Sequence, residues 1–193
     1  MPTRPGHLLR TVLPAAVLGA AVLGAAVLGA AVLGATVLGA TVLHGAIDPP
    51  VRAVRELTDR AEITALVDRL SRALDEGDFD RFRTIYTADA TARTPGGEAR
   101  GRDALTAQAA RTHSPDEVIQ HFVSNIAIDL AGDSAEIRAN LLAVFAPAPS
   151  DNALPAPGYT LGEVYRFAAR RTAEGWRLTR VHSTPLWSVG TRF

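Results

Sequence analysis

The chain has 193 residues, a formal net charge of zero and no cysteine. This length suits one domain plus an appendage, and the lack of cysteine excludes disulfides, thiolate catalysis and cysteine-ligated metal sites. The basic side chains include no lysine, and the arginines form no stripe with interleaved aromatic residues. Nothing in this pattern indicates a nucleic-acid partner.

An apolar repeat opens the chain. Residues 11–43 carry no charged side chain and repeat the unit Ala-Ala-Val-Leu-Gly. The run exceeds the roughly 20 helical residues that cross a bilayer, and Arg4 and Arg10 before it favour a cytoplasmic amino terminus. We therefore predict a membrane anchor with the domain outside the cytoplasm. The alternatives are a cleaved secretion signal and a true start after the repeat, which would leave the domain cytoplasmic.

Composition divides the chain into a leader, a linker and a globular domain. The predicted parts are residues 1–45, 46–57 and 58–190. Asp48-Pro49-Pro50 is expected to end any preceding helix, because proline lacks a backbone donor and restricts the residue before it. Asp59 and Glu62 match a capping box, which predicts that the first helix of the domain begins there.

The globular part alternates between helical and strand periodicity. Apolar residues at helical spacing begin with Ile63 and stop at Gly77, a second helix carries Phe82, and a third follows Gly101. Alternating runs and turn residues predict a short strand and then four long antiparallel strands in two hairpins. The predicted strands are residues 90–94, 120–129, 135–146, 159–170 and 176–187. This order predicts an α+β fold with a strongly bent antiparallel sheet wrapped around the N-terminal helices.

The strand QHFVSNIAID over residues 120–129 is predicted to lie at the centre of the sheet. Because strand side chains alternate, His121 and Asn125 are expected to share one face. Both faces of the strand carry apolar residues, so both are expected to be covered. The face with His121 is therefore predicted to line a cavity for a small hydrophobic ligand.

Five segments of the globular part resemble the nuclear transport factor 2-like superfamily, and most closely its SnoaL-like branch. They are ALDEGDFDRF (73–82), IYTADAT (85–91), GRDAL (101–105), QHFVSN (120–125) and EGWRLTR (174–180). The resemblance implies a cone-shaped α+β fold with a deep pocket, often assembled as a homodimer through the sheet. Members include polyketide cyclases, a dehydratase, steroid isomerases, epoxide hydrolases and proteins without catalysis, so the fold alone does not settle the function.

The nearest catalytic comparison is the scytalone dehydratase type, in which a pocket aspartate and two histidines move protons. Asp75 matches that aspartate, and His121 matches one histidine in the shared Gln-His-Phe. The second histidine would fall near Ala146 and is absent. Leu74 replaces the tyrosine before the aspartate, and Glu163 replaces an asparagine. The resemblance therefore does not carry over the whole mechanism.

Asp75 and His121 are accordingly the candidate catalytic residues. The carboxylate would hold the tautomer of the imidazole, and the imidazole would take or give a proton near neutral pH. The alternative is a buried histidine bonded to a carboxylate that caps a helix end.

Four further residues are candidate substrate-binding groups. They are Asn125, Glu163, Tyr165 and His182. A carboxylate on an apolar face predicts that Glu163 is a proton donor with a raised pKa, unless it pairs with an arginine. Asn125 and Tyr165 could hydrogen-bond a substrate carbonyl, and Tyr165 could instead be core packing. His182 is placed either at the pocket mouth or on the surface, and His113 is predicted to be an exposed loop residue.

No histidine or carboxylate cluster at metal-ligand spacing occurs, and no phosphate loop or dinucleotide fingerprint is present, so neither a metal nor a cofactor is predicted. The sequence predicts a cofactor-independent lyase or isomerase that moves protons on a polyketide-like or aromatic molecule. The alternative is a non-catalytic small-molecule-binding or dimerisation module displayed outside the membrane.

Overall fold

The computed structural model describes residues 49–150 and 153–192. Within these residues the helices are α1 (Pro49–Asp75), α2 (Phe82–Ile85) and α3 (Arg102–Thr112), with a 3₁₀ turn at Phe79–Arg81. The strands are β1 (Tyr86–Thr94), β2 (Gly97–Arg100), β3 (Glu117–Ala131), β4 (Ser134–Pro147), β5 (Tyr159–Thr172) and β6 (Gly175–Gly190). Strand β2 is absent from the sequence prediction, and the other strands extend beyond their predicted bounds. The predicted second helix is shorter than expected, because it consists of the 3₁₀ turn and the four residues of α2.

The six strands form one curved, unclosed sheet in the order β2-β1-β6-β5-β4-β3. Strands β1 and β6 pair in parallel, and every other pair is antiparallel. The helices pack on one face of this sheet, and α1 contacts both β3 and β6. The predicted α+β architecture is confirmed.

The position of β3 differs from the prediction, because β3 is an edge strand and not a central one. The hairpin of β5 and β6 lies between β1 and β4, and so moves β3 to the rim. An edge strand has backbone groups that no neighbouring strand uses. One of these groups becomes part of the functional site.

Helix α1 begins ten residues earlier than the capping box predicted. Pro49 and Pro50 open the helix instead of preceding a linker, because the first turn needs no backbone donor. Good helix formers follow, and Arg52 pairs with Glu56 one turn later at 3.1 Å. Residues 49–57 are therefore helix, and the predicted linker over residues 46–57 is wrong for them.

The face of α1 that packs on the sheet is the one that the apolar spacing predicted. Its buried apolar side chains are Ile63, Leu66, Val67, Leu70 and Ala73. Across from them lie buried side chains of the long strands, among them Phe167, Trp176 and Leu178. Burying each large side chain contributes about 1.5–3 kcal/mol. This packing holds α1 across the concave face of the sheet.

The apolar leader lies outside the described residues, and so do the anchor, signal and compartment predictions that rest on it. In the part of the chain that the structure describes, no helix combines the length and the apolar composition needed to span a bilayer.

Candidate active site

A cavity of about 270 Å³ lies between the sheet and the helices near the end of α1. Its walls are largely apolar and aromatic, with Leu74, Phe79, Phe82, Ile119, Phe145 and Leu161 among them. Ligand pockets typically enclose roughly 300–1,000 Å³. This cavity therefore suits a molecule of one or two rings.

Asp75 and His121 meet at the wall of this cavity. The carboxylate oxygen Oδ1 of Asp75 accepts the backbone N–H of His121 at 3.0 Å and lies 2.6 Å from the ring atom Nδ1. The backbone donor is available because β3 is an edge strand. In the neutral ring, Nδ1–H donates to Asp75, which leaves the lone pair of Nε2 for a ligand. The predicted meeting of these two side chains is confirmed.

The end of α1 places Asp75 where it can bind this strand. Gly77 has a φ of +65°, and the N–H of Asp78 donates to the carbonyl of Ala73 at 3.0 Å. This is the left-handed ending that glycine favours. A carboxylate in the last turn of a helix opposes the helix dipole, which costs about 0.3–1 kcal/mol. The two hydrogen bonds from His121 offset that cost.

The pair is shielded from solvent but not sealed. The side chain of His121 is 12% exposed and that of Asp75 is 29% exposed. Because His121 lines the cavity, its ring is open to a ligand on that side. A histidine that only filled the core would be closed on every side.

Glu163 lines the same cavity, on β5, as its strand face predicted. Its carboxyl group accepts a hydrogen bond from the Ser183 hydroxyl at 3.1 Å. Burial raises the pKa of Glu163 above its ordinary value, although the Ser183 hydrogen bond and the charge of His121 lower it in part. The raised pKa favours a protonated carboxyl, which can donate a hydrogen bond.

Tyr165 is also buried and lines the cavity. Burial raises the pKa of its phenol, and the nearby charges of Glu163, Tyr86 and Asp75 raise it further. The hydroxyl therefore stays protonated, as a donor requires. None of the residues that the structure describes forms a hydrogen bond with it. Tyr165 is thus both core packing, edge-on to Phe167 at 5.1 Å, and a free donor.

Asn125 does not line the cavity, and its predicted place beside His121 is wrong. The pairing of β3 with β4 contains one extra residue between Ser124 and Ala127. Asn125 lies in this bulge with a φ of +53° and is exposed. A bulge shifts the alternation by one residue, so the faces exchange beyond it. Asparagine is one of the few side chains that tolerate this backbone conformation.

His182 does not line the cavity either, so the structure agrees with the predicted surface position and not with the predicted place at the pocket mouth. Strand β6 has an extra residue between Leu178 and Arg180, which pair with neighbouring positions of β5. The bulge turns Val181 and Ser183 inward, where they line the cavity. His182 consequently lies on the outer face of the sheet.

Two cavity residues were missed from the sequence. His113, predicted to be an exposed loop residue, lines the cavity and packs edge-on against Phe79 at 5.6 Å. Arg192, ten positions after His182, also lines it. His113 follows the last residue of α3, so its direction depends on how the helix packs. No local pattern marks Arg192, whose position depends on the path of the chain after β6.

The part of the chain that the structure describes contains no group of three or more histidine and carboxylate side chains that could hold a metal ion. The titratable side chains that line the cavity are those of Tyr86, His113, His121, Glu163, Tyr165 and Arg192.

Solved structures with the same fold come from several bacterial enzymes and uncharacterised proteins. A nuclear transport factor 2-like protein with a cystatin-like fold from Novosphingobium aromaticivorans is 26% identical, with a TM-score of 0.58 over 74% of this chain and 92% of that one. A hexachlorocyclohexane dehydrochlorinase, LinA type 2, is 16% identical, with a TM-score of 0.62 over 72% of this chain and 93% of that one. A proposed scytalone dehydratase from Novosphingobium aromaticivorans is 19% identical, with a TM-score of 0.61 over 73% of this chain and 93% of that one.

No curated protein matches the chain by sequence. The sequence profile of the SnoaL-like domain matches residues 55–182. This match covers more than half of the chain, from within α1 to within β6. The chain therefore belongs to the SnoaL-like domain family, within the nuclear transport factor 2-like superfamily.

Proposed function

We propose that this protein is a cofactor-independent lyase or isomerase that transfers protons on a small aromatic or polyketide-like molecule. One observation carries the proposal. The imidazole of His121 is held by Asp75 through Nδ1 and lines an apolar cavity of ligand size. An oriented imidazole with one free nitrogen is a general base that works near neutral pH.

In the proposed reaction, Nε2 of His121 takes a proton from a carbon beside a substrate carbonyl. The electron pair of that C–H bond moves toward the carbonyl oxygen, where negative charge develops. The hydroxyl of Tyr165 is a donor that can stabilise this oxygen, and the carboxyl of Glu163 can do so in its protonated form. Asp75 stabilises the imidazolium that forms. Return of the proton to another carbon gives an isomer, whereas loss of a neighbouring group gives an alkene.

The names of two similar structures agree with the lyase form of the proposal. The dehydrochlorinase and the proposed dehydratase both carry names of elimination activities. Their low identity supports a shared fold, and the cavity residues of this chain carry the chemical part of the proposal.

The proton transfer can be tested without knowing the substrate. 5-Nitrobenzisoxazole opens to a coloured phenolate when a base removes the proton at C3 of its isoxazole ring, because the C–N bond becomes a nitrile as the N–O bond breaks. We expect the wild-type protein to accelerate this reaction, and His121→Ala to lose about 10²–10³-fold of the acceleration. His182→Ala is the matched control, because that imidazole lies on the outer face of the sheet, and it should keep the full rate.

Equal rates for His121→Ala and wild type would remove His121 as the base and contradict the proposal. A wild-type protein that binds aromatic molecules yet gives no acceleration would favour the alternative, a non-catalytic small-molecule-binding module.

We also propose a homodimer formed through the outer face of the sheet. Phe122, Leu142, Gly162 and Trp187 lie in one register line across the four strands from β3 to β6. Phe122, at one end of this line, is 54% exposed, and Trp187, at the other end, is 52% exposed. Large exposed apolar side chains on one face of a sheet are typical of an interaction surface. Sedimentation equilibrium should give a dimer, and Trp187→Ser should shift it toward monomer. A monomeric wild type would contradict this interface.

A last part of the proposal concerns the leader. We propose that residues 11–43 attach the domain to a membrane from outside the cytoplasm, because the run is uncharged and long enough to cross a bilayer. The full chain should stay in the membrane pellet after carbonate washing, and a chain without residues 2–45 should not. A full chain in the supernatant would contradict the anchor.

A further inference from the structure

The last residues of the described chain form part of the cavity wall. After β6, the N–H of Thr191 donates to the carbonyl of Gly158 at 3.1 Å. Gly190 has a φ of +83°, and a Cβ at this position would collide with the carbonyl oxygen of Gly158. Only glycine fits this approach. The turn directs Arg192 against the cavity, which it lines.

Three separate elements hold the guanidinium of Arg192. Its Nε and Nη2 atoms lie 3.3 Å and 3.1 Å from Oε2 of Glu117, at the start of β3. Nη2 also donates to the carbonyl of Thr112, at the end of α3, at 2.8 Å. The group lies over the ring of Phe145 on β4, 4.6 Å from its centroid. An arginine fixed in this way loses little conformational freedom when a ligand binds.

One nitrogen of this group is unused. Among residues 49–150 and 153–192, Nη1 of Arg192 has no hydrogen-bond partner. Guanidinium nitrogens over an aromatic ring keep their in-plane donors available to a neighbouring oxygen. Arg192 therefore offers a fixed and free donor beside the cavity.

We propose that Arg192 positions the ligand by donating from Nη1 to a neutral oxygen, such as a phenol or ketone oxygen on a one- or two-ring aromatic molecule. This inference rests on the proposed function only in taking the cavity as the ligand site. Arg192 is a binding and specificity residue and has no part in proton transfer.

The charges around the cavity argue for a neutral ligand. The buried carboxylate of Glu117 neutralises the guanidinium, and Asp75 adds a second negative charge beside His121. An anionic ligand would meet no net positive charge, and its desolvation would be uncompensated. A neutral oxygen needs only one donor, which Nη1 supplies.

The strand register relates this contact to His121. Phe145, which lies under the guanidinium of Arg192, is two residues along β4 from Ala143, and Ala143 is directly opposite His121 on β3. Two residues of a strand span about 7 Å along its backbone. Arg192 and His121 thus line neighbouring parts of one cavity. Arg192 lies beyond residue 182, where the family match ends.

The test compares two probes that differ by one oxygen, 2-naphthol and naphthalene, with the full chain. We expect Arg192→Met to weaken the binding of 2-naphthol about tenfold and that of naphthalene less than about twofold. Arg192→Lys loses the planar guanidinium but keeps the positive charge. It should weaken 2-naphthol binding less than Arg192→Met does, again with little effect on naphthalene. Arg69→Met, on the exposed face of α1, is the matched control and should leave both affinities unchanged.

A third probe tests the charge argument. Glu117→Gln keeps a carbonyl acceptor for Arg192 but removes the negative charge beside it. We expect this variant to bind the anion 2-naphthoate about tenfold more tightly than wild type does.

Several results would overturn the inference. Equal losses for 2-naphthol and naphthalene would mean that Arg192 only fills the wall, and no loss for either would mean that it does not contact the ligand. Unchanged 2-naphthoate binding in Glu117→Gln would refute the charge argument. A wild type that binds none of the probes would overturn the ligand site itself. Probe binding without catalysis of 5-nitrobenzisoxazole opening would contradict only the proposed proton transfer.

Discussion

Helix α1 carries two aspartates that reach the sheet, Asp59 near the middle of the helix and Asp75 at its last residue. Asp59 is 4% exposed, and its Oδ1 atom accepts from the guanidinium of Arg171 and, at 3.1 Å, from the indole of Trp176. The side chain of Asp75 is 29% exposed and binds His121 beside the cavity. On the same helix, Asp59 thus meets donors of fixed charge, whereas Asp75 meets a ring that can titrate.

The partners decide what each carboxylate does. Burial alone would raise the pKa of Asp59, but the hydrogen bonds from Arg171 and Trp176 outweigh it and hold the pKa below its ordinary value. Neither donor changes its charge near neutral pH, so this contact only holds α1 on the sheet. The partner of Asp75 can gain and lose a proton, so that contact can take part in chemistry. The difference can be tested by replacing each of the two aspartates with asparagine.

The largest effect is expected for Asp59→Asn. The substitution leaves Arg171 without its buried counter-charge and should lower the free energy of unfolding by about 3 kcal/mol. Urea denaturation measures this change. The rate per folded molecule with 5-nitrobenzisoxazole should not change. A loss of rate in the folded variant would show that the Asp59 contact is coupled to the pair of Asp75 and His121.

The matched substitution Asp75→Asn should lower the reaction rate strongly and the stability only slightly, which is the reverse of Asp59→Asn. An amide can present either its oxygen or its NH₂ group to His121, so the ring loses its single tautomer. We expect the rate with 5-nitrobenzisoxazole to fall about 10²-fold, or about 2.7 kcal/mol, with a much smaller change in stability than in Asp59→Asn. Nitrogen-15 NMR of the ring should show a proton fixed on Nδ1 in wild type and a mixture in the variant. An unchanged tautomer would mean that Asp75 does not orient the ring.

Gly77→Ala perturbs the end of α1 that carries Asp75, and it acts through the backbone. Alanine in the left-handed conformation costs about 1–2 kcal/mol, and its Cβ would lie 2.7 Å from Nε2 of His113. We expect a loss of stability of this size in urea denaturation, together with a reduced rate, because Asp75 lies in the last turn of α1. Gly132→Ala is the matched control: its φ is +63°, but nothing lies near its Cβ position, so stability alone should change.

The smallest effect is a change in how stability depends on pH. Native Glu163 has a raised pKa, so it keeps its proton at pH values where the unfolded chain has lost it. The contribution is complete below the ordinary value of 4.5 and is lost as pH rises through the raised pKa. Glu163→Gln should flatten the pH dependence of the melting temperature in this window.

The pKa shift of Asp59 is opposite in sign to that of Glu163, so the pH dependence of stability distinguishes the two carboxyl groups. Its lowered pKa gives stability that is present above the ordinary value of 3.8 and is lost as pH falls through the lowered pKa. Melting curves of Asp59→Asn should therefore converge with those of wild type in acid. The Glu163→Gln and wild-type curves should also meet in acid, where both side chains are neutral, but the variant should be the more stable protein above the raised pKa. A variant that is less stable than wild type at that higher pH would contradict the assigned direction.

The sequence by itself determined the local elements and most of the sheet. The apolar spacing from Ile63 to Leu70 defined the inner face of α1, and Gly77 marked its end. The resemblance of Gln-His-Phe and of the segment around Asp75 to a known family pointed to Asp75 and His121 as the candidate catalytic pair. These features are short-range, because periodicity, turn residues and helix endings depend on neighbours in the chain.

Only the tertiary structure decided which residues face the cavity. One extra residue in β3 turned Asn125 to solvent, and one in β6 turned His182 outward and Ser183 inward. Alternation predicts faces only while the register is unbroken, and a bulge is set by both paired strands. Asp59 looked like a helix cap because its partners, Arg171 and Trp176, are more than a hundred positions away. Arg192 has no local signal, since the turn at Gly190 and the carboxylate of Glu117 place it. Such contacts between distant segments form only when the chain has folded.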